Sequence, residues 1–454
     1  MREILIEYLK GKASALKRKV NVGLIGYGST NRAFLDFILP LDFVNLSVRH
    51  KGLSRSELPK SVTVYGGESE PEIYEDILIP SPSVRREKIA APVGAEFITD
   101  YDLLFRTREK QLFCVSGSDG KSTVTTLSSL MLSETMPDLF TGGNLGTPLI
   151  CADSGCEAFL LELSSFTLHY SVPRSKRALL TNITPNHLDW HKDLLEYTES
   201  KLRLIKSAYE PVINLSDGVS QRVADETNAF CLVSDKLTRG EINAAYSTEH
   251  TVTIDEDAIS LDGETVVRVE SVKRRERHNI TNLALATALS IGYASPERIR
   301  EVAKSFTGLS ERCEIFTYKG IEYISSSIDT TPERTRTTLL GLSRPVSIIL
   351  GGRTKNLPLD PIREPLHAFA KRIAIYGEAA KELDGYISSC PELCDIPREV
   401  FPTLDGAIDY AIATATPEIS VLLSPAATSY GEFDNYIERG RFFKAHVLNN
   451  RPKI

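Results

Sequence analysis

The feature that most constrains this 454-residue chain is a short glycine loop set between a strand pattern and a helix pattern. Gln111-Leu112-Phe113-Cys114-Val115 reads as a buried strand, and 124–131 reads as a helix. Between them lies Ser116-Gly117-Ser118-Asp119-Gly120-Lys121-Ser122-Thr123. Glycines let backbone N–H groups turn inward onto phosphate oxygens, and the helix that follows points its positive end at the same anion. In such a loop the lysine neutralises the β- and γ-phosphates, and the hydroxyl after it holds Mg²⁺. A full Walker A loop needs glycine six residues before the lysine, where Val115 stands, so this is the shorter form Gly-x-x-Gly-Lys-Ser-Thr. The plainer alternative is a surface turn with an exposed lysine; the strand before and the helix after weigh against it.

A second strand, glycine turn and helix occupy 20–28 and beyond, with Gly23-Leu24-Ile25-Gly26-Tyr27-Gly28-Ser29-Thr30-Asn31. The third glycine of a dinucleotide fingerprint is missing. The next strand, Asn45-Leu46-Ser47-Val48, ends in Arg49-His50-Lys51 rather than in a ribose-binding acid. Basic residues there suit a phosphate, of NADP or of a UDP sugar, so an NADP oxidoreductase stands as a minor rival. Further strand patterns at 158–163, 178–183, 346–350, 372–377 and 420–423 alternate with helical ones. That alternation predicts parallel sheets with helices on both faces. The length predicts two or three domains, with boundaries near 107 and 307. Sixty acids against 53 basic residues leave a net charge of −7, which argues against a nucleic-acid partner. Nothing approaches the ~18 uninterrupted apolar residues of a membrane span, and acids inside Met1-Arg2-Glu3-Ile4-Leu5-Ile6-Glu7 make a poor signal peptide. The seven scattered cysteines lack zinc-site spacing and read as reduced cytosolic thiols.

Four side chains stand out. Glu162 ends the apolar run Ala158-Phe159-Leu160-Leu161, where a carboxylate is costly unless paired; it reads either as a Mg²⁺ ligand or as half of a salt bridge. His187 and His191 are four apart, with Trp190 between, and read as a helical metal pair or as ordinary polar residues beside an aromatic. Lys201 lies in an amphipathic pattern over 195–204, where a solvated face is the ordinary reading.

The loop resembles the nucleotide loop of the Mur ligases, which more often have Thr or Ser in its second place. Other motifs follow in family order. They are Gly142-Gly143-Asn144-Leu145-Gly146, Leu161-Glu162-Leu163-Ser164-Ser165-Phe166, Thr181-Asn182-Ile183-Thr184-Pro185-Asn186-His187-Leu188-Asp189, Ser200-Lys201-Leu202-Arg203, and His278-Asn279 with Asn282. Near the end come Gly351-Gly352-Arg353-Thr354-Lys355, Ser424-Pro425-Ala426-Ala427-Thr428-Ser429-Tyr430 with Phe433, and Glu438-Arg439-Gly440. The two Ser-rich elements resemble the D-glutamate-adding branch. The resemblance implies three α/β domains: a Rossmann-like UDP-binding domain (1–107), a central P-loop ATPase-like parallel-sheet domain (108–307) and a Rossmann-like amino-acid-binding domain (308–454), whose closure gates catalysis. It implies a cytoplasmic, monomeric enzyme that adds D-glutamate to UDP-N-acetylmuramoyl-L-alanine through an acyl phosphate, using ATP and two Mg²⁺ ions. The remaining alternatives are a ligase with another acceptor or amino acid, such as a folylpolyglutamate-type synthetase, and a non-catalytic nucleotide-binding regulator.

By the same resemblance, ATP is held by Gly117, Ser118, Asp119, Gly120, Lys121, Ser122, Thr123, Asn279 and Arg312. The metal ions sit on Ser122, Glu162, His187 and Lys201, the lysine first taking up CO₂ as a carbamate because an ammonium has no lone pair to offer. Lys121, Glu162, His187 and Lys201 form the catalytic set; His191 is assigned no metal role. The UDP substrate meets Ser29, Thr30, Lys51, Ser83 and Asn144, and the amino acid meets Thr330, Lys355, Ser429 and Tyr430. Five positions depart from the family. Arg49 stands where Asp is common, Glu311 where a histidine precedes Arg312, and Gly431 where the ending motif has Asp. In Tyr323-Ile324-Ser325-Ser326-Ser327-Ile328-Asp329-Thr330, Ser326 replaces an aspartate and Ile328 a lysine, so one ATP-side contact is lost or moved.

Overall fold

In the computed structural model the described residues are 1–51, 53–67, 73–107, 112–153, 155–171, 173–188, 190–309, 313–342, 344–354, 357–429, 431–433 and 435–449, with side chains at all but 29, 106 and 107. Each apolar run of the sequence becomes a strand whose two faces are covered. They assemble, among the described residues, into three sheets carried by two compact units, Met1–Phe306 and Thr307–Ile454.

The first sheet contains β1 (Val20–Ile25), β2 (Val44–Arg49), β3 (Thr63–Tyr65), β4 (Ile77–Pro80) and β5 (Glu96–Phe97), in the order β3-β2-β1-β4-β5 and parallel throughout. A helix the sequence pattern did not announce, Arg2–Leu16, precedes it and buries Leu5 and Leu9. The second sheet contains β6 (Leu112–Ser116), β7 (Leu139–Gly143), β8 (Ala158–Glu162), β9 (Arg177–Leu180), β10 (Glu210–Asn214), β11 (Ala229–Ser234), β12 (Thr248–Ile254), β13 (Ala258–Leu261) and β14 (Glu264–Arg268). Its order is β14-β13-β12-β11-β10-β9-β6-β8-β7. The third, in the second unit, contains β15 (Glu314–Tyr318), β16 (Ile321–Ser325), β17 (Val346–Gly351), β18 (Ala370–Tyr376), β19 (Arg398–Phe401) and β20 (Ser420–Leu423), in the order β15-β16-β20-β17-β18-β19.

The expected parallel pairing is extended by antiparallel hairpins at one edge of each of the last two sheets. Each has a two-residue turn with both φ positive: Asp262 (52°) and Gly263 (90°), Lys319 (51°) and Gly320 (77°). Such turns match the twist of the strands they join.

Strand alternation divides the core. In β6, Leu112 and Cys114 face one apolar cluster while Phe113 and Val115 face another, which is built on the helix Arg277–Leu289. In the second unit Ile348 and Leu350 face away from Ile349 in the same way. β6, β8 and β17 are buried along their whole length, which is why each reads as an unbroken apolar run. All seven cysteines are free. Among the described residues no helix is long and apolar enough to cross a membrane.

Candidate active site

In the second sheet β6 lies between β8 and β9, so the loop after it opens at the carboxyl ends of three parallel strands. A crevice at such a reversal of strand order is where open α/β sheets bind ligands. Gly117 has φ 140°, and a Cβ there would lie 1.8 Å from Thr181 Oγ1, so both its backbone conformation and its surroundings call for glycine. Gly120 (φ 78°) caps the helix Lys121–Leu132, and a Cβ on it would meet Asn282 Oδ1 at 2.5 Å. The loop is held from behind by the segment after β9. Ser118 N–H donates to the Asn182 carbonyl (2.8 Å), Asp119 N–H to Asn182 Oδ1 (2.9 Å), and Thr181 Oγ1 to the Asp119 carbonyl (2.6 Å). Ser118 Oγ meets Tyr197 Oη at 2.6 Å, and Lys121 Nζ donates to the Ser118 carbonyl at 2.7 Å. Thr181, Asn182, Tyr197 and Asn282 thus shape the loop without belonging to the candidate set. Thr181 and Asn182 were signalled by the motif after β9 and Asn282 by the motif at the start of Arg277–Leu289, whereas Tyr197, in the helix Leu194–Ser207, lies in no motif of the sequence.

Glu162 ends β8, in register with Val115, and is 1% exposed. Its Oε1 accepts from Asn144 Nδ2 at 2.6 Å, whereas its Oε2 is buried with no hydrogen-bond partner. Among the described residues no cation pairs with Glu162, against the salt-bridge reading, and Asn144, expected at the UDP substrate, lies on this carboxylate. Lys201 lies in the helix Leu194–Ser207, which Asp193 caps by accepting from Glu196 N–H. It is 2% exposed rather than on a solvated face, and its Nζ donates to the Gly117 carbonyl at 2.8 Å. Burial, and after it the Lys121 charge, hold its ammonium well below the usual lysine range, with Glu162 and Asp119 opposing. Lys121, Glu162 and Lys201 therefore converge at the mouth of the phosphate loop. Ser122 follows in the first helical turn, and Thr123 is buried.

His187 is exposed, has φ 54°, and sets its ring edge-on to Phe166, 4.9 Å between centroids. His191 is buried and differently employed. Its Nε2 meets Ser165 Oγ at 2.9 Å and its Nδ1 meets Glu196 Oε2 at 3.2 Å. Asn279 donates to Glu276 Oε2 (3.0 Å); it is Asn282, one turn on, that abuts the loop.

In the first sheet the fingerprint glycines have local causes. Gly23 makes room for Glu75, since a Cβ would sit 3.0 Å from Glu75 Cγ; at Gly26 (φ 85°) a Cβ would sit 2.8 Å from Ser81 Oγ; Gly28 caps the helix Ser29–Ile38. Arg49 differs from the phosphate-facing reading. It is buried, pairs with Glu75 at 3.1 Å and stacks over Tyr65 at 4.1 Å, because an unpaired guanidinium at that depth would be costly. Lys51 is exposed. Ser83 is exposed too, its carbonyl accepting from Trp190 Nε1 at 2.8 Å. Thr30 lines a cleft with Ser81, Val84, Arg86, Phe166 and Tyr170. The Ser29 side chain, Asp189, Glu311, Arg312, Lys355 and Tyr430 lie outside the described residues. Of the expected amino-acid contacts, Ser429 is buried and Thr330 half-buried, its N–H donating to the Ile328 carbonyl at 2.8 Å.

Residues 115–290 match the Mur ligase middle domain. A UDP-N-acetylmuramoylalanine–D-glutamate ligase of Ruminiclostridium cellulolyticum is 31% identical over 367 residues, 78% of each chain. The chain belongs to the Mur ligase family. A second ligase of the same name, from Clostridium perfringens, is 29% identical over 98% of both chains. Among solved structures, a Mur ligase from Acinetobacter baumannii, MurF, superposes with a TM-score of 0.56 over 94% of this chain and 93% of its own. At 15% identity that likeness is one of fold. The Mur ligase match spans the phosphate loop, Glu162 and Lys201 alike.

Proposed function

We propose that this chain is an ATP-dependent ligase that joins D-glutamate to UDP-N-acetylmuramoyl-L-alanine, a cytoplasmic step of peptidoglycan precursor synthesis. The observation that carries this reading is the pair of buried groups beside the phosphate loop: Glu162 with a partnerless oxygen and Lys201 with a weakly held proton. A module that only bound nucleotide would gain nothing from either. The relatives of 29–31% identity that carry the D-glutamate ligase name favour the same acceptor and amino acid.

The chemistry follows from charge. A carboxylate does not acylate an amine at neutral pH, so the ATP γ-phosphoryl group passes to it, giving an acyl phosphate. The D-glutamate amine attacks that carbonyl, a tetrahedral intermediate forms, and phosphate leaves. Lys121 and the loop N–H groups balance the growing phosphate charge, with Arg312 and Asn279 as the further ATP contacts.

Mg²⁺ fits the donor set. Glu162 offers a buried anionic oxygen with no other partner, Ser122 a hydroxyl at the phosphate loop, and His187 an imidazole on the exposed segment after β9. An uncharged Lys201 amine can take up CO₂, its nitrogen bonding to carbon as one N–H proton leaves, and the carbamate then offers oxygen donors. Bound Mg²⁺ supplies neutralisation of phosphate charge and polarisation of the transferring group. We assign the UDP moiety to the cleft at Thr30, with Ser29, Lys51, Ser83 and Asn144 as the further contacts, and D-glutamate to Thr330, Lys355, Ser429 and Tyr430. We also take residues 1–107, 108–307 and 308–454 as the three functional domains of a monomer.

Phosphate release from ATP tests the reading, with UDP-N-acetylmuramoyl-L-alanine, Mg²⁺ and bicarbonate present and D-glutamate, L-glutamate and other amino acids supplied one at a time. Release that needs both the UDP substrate and D-glutamate, and is lost in Lys121→Ala, is expected. ATP binding without turnover on any amino acid would sink it.

A further inference from the structure

The ligase chemistry employs neither His169 nor His191, yet the fold brings the two together with a carboxylate. Among the described residues, donor atoms of His169, His191 and Glu196 all lie within 4.8 Å of one another. His169 comes from the helix Ser165–Tyr170, His191 from the segment after His187, and Glu196 from the first turn of the helix Leu194–Ser207. No spacing in the sequence relates the first to the other two.

His191 Nδ1 lies 3.2 Å from Glu196 Oε2. Two donors on one tetrahedral ion, each bonded at about 2.0–2.1 Å, stand ~3.4 Å apart, so this pair shares a cation with little movement. His191 is fixed from behind, its Nε2 2.9 Å from Ser165 Oγ. With the proton on Nε2 and donated to that hydroxyl, the Nδ1 lone pair faces Glu196. A partner on the second ring nitrogen is how proteins orient a metal-bound histidine. The two imidazoles are 6.0 Å apart between centroids and inclined at 70°. His169 is lightly held, its Nδ1 3.4 Å from Ser200 Oγ and its Nε2 3.8 Å from Glu87 Oε1. A turn about its side-chain bonds therefore brings a ring nitrogen in.

Glu196 is oriented too. Its Oε2 accepts from Lys192 N–H at 2.9 Å, and Arg85 Nη2 donates to its Oε1 at 3.0 Å and to its Oε2 at 3.3 Å. Arg85 is itself held by the Trp190 carbonyl at 2.7 Å and over the Trp190 ring at 4.8 Å. Its charge opposes a cation, which keeps the affinity below that of a dedicated structural site. His191 is buried, His169 and Glu196 are half-buried and Glu87 is exposed, so an ion enters from the Glu87 side. Two nitrogen donors select a zinc-class ion, whereas Mg²⁺ prefers oxygen.

We propose that His169, His191 and Glu196 form a binding site for a zinc-class divalent cation, with Glu87 or a water as the fourth donor. The site shares no residue with the Mg²⁺ set of Ser122, Glu162, His187 and Lys201, and it stands whether or not the chain is a ligase.

Zinc chloride titrated calorimetrically into the metal-free, full-length chain tests it, with X-ray absorption of the zinc complex to read the donors. A single micromolar site with two imidazoles and otherwise oxygen donors is expected. His169→Ala and Glu196→Gln should each weaken it at least about ten-fold, with the zinc-free Tm measured to show that the fold is kept. The double variant Glu162→Gln/His187→Ala should bind zinc as the wild type does. No binding at millimolar zinc, sulfur among the donors, an affinity unchanged in folded His169→Ala and Glu196→Gln, or a site lost in Glu162→Gln/His187→Ala would each overturn the proposal.

Discussion

At the scale of single residues, the site depends on two buried groups whose protons or ligands are unusually placed. Lys201 titrates well below 10.5 because burial and Lys121 oppose its charge. Between that lowered value and 10.5 the unfolded chain holds a proton that the folded chain does not, so stability rises with pH through this window. Urea unfolding in CO₂-free buffer at pH 7 and pH 9 should show the rise, and Lys201→Met should flatten it while abolishing turnover. Glu162 makes a second case, since its buried Oε2 has no hydrogen-bond partner among the described residues. Mg²⁺ should raise the Tm of the wild type in the presence of an ATP analogue, and Glu162→Gln should remove that increment even though the fold persists. A magnesium increment that survives the substitution would place the ion elsewhere. Glu162 was legible as an anomaly, an acid ending an apolar run, yet its strand says nothing of which cation or amide stands opposite. Lys201 was legible only through the family motif, because its helix pattern alone puts lysine in solvent.

At the scale of elements, the phosphate loop and the joints around it carry the strain. Gly117 adopts φ 140° and passes Thr181 at a distance that excludes a Cβ. Gly117→Ala should cost on the order of 1–3 kcal/mol of stability and weaken ATP binding at least ten-fold by titration. Gly67→Ala, where nothing lies within 4 Å, should be near neutral. Asp100, at the start of the helix Asp100–Thr107, accepts from the N–H groups of Ile150 and Tyr101, yet burial outweighs these bonds and pushes its carboxyl up from 3.8 to about 7. The folded chain then holds the extra proton between these values, so this group makes stability fall as pH rises through that range and level off above it. Thermal unfolding at pH 5 and pH 8 should show a smaller loss in Asp100→Asn than in the wild type. The strand–loop–helix unit of residues 112–132 was readable because its determinants are local: an apolar run, two glycines and a helix pattern. The hairpins β13–β14 and β15–β16 do not show in strand–helix alternation, which says nothing of two-residue turns, although Asp262-Gly263 and Lys319-Gly320 mark them.

At the scale of the whole molecule, the chain falls into two compact units, Met1–Phe306 and Thr307–Ile454, each with its own apolar clusters. Fragments 1–306 and 307–454 made separately should each unfold in a cooperative transition monitored by circular dichroism. A fragment 307–454 without a transition would show that its core depends on the rest of the chain. The sequence alone determined the α/β class, the phosphate loop and the order of its motifs, since hydrophobic period and glycine placement act over a few residues. Tertiary structure alone decided that Arg49 faces Glu75 rather than a phosphate, that Asn144 rests on Glu162, and that Asn282 rather than Asn279 abuts Gly120. It also decided that His169 meets His191 and Glu196. The first three contacts join residues many positions apart, and all four depend on which face of a strand, turn or helix meets which neighbour. That choice is made by packing and by the cost of burying an unpaired charge, and neither is written in a local pattern.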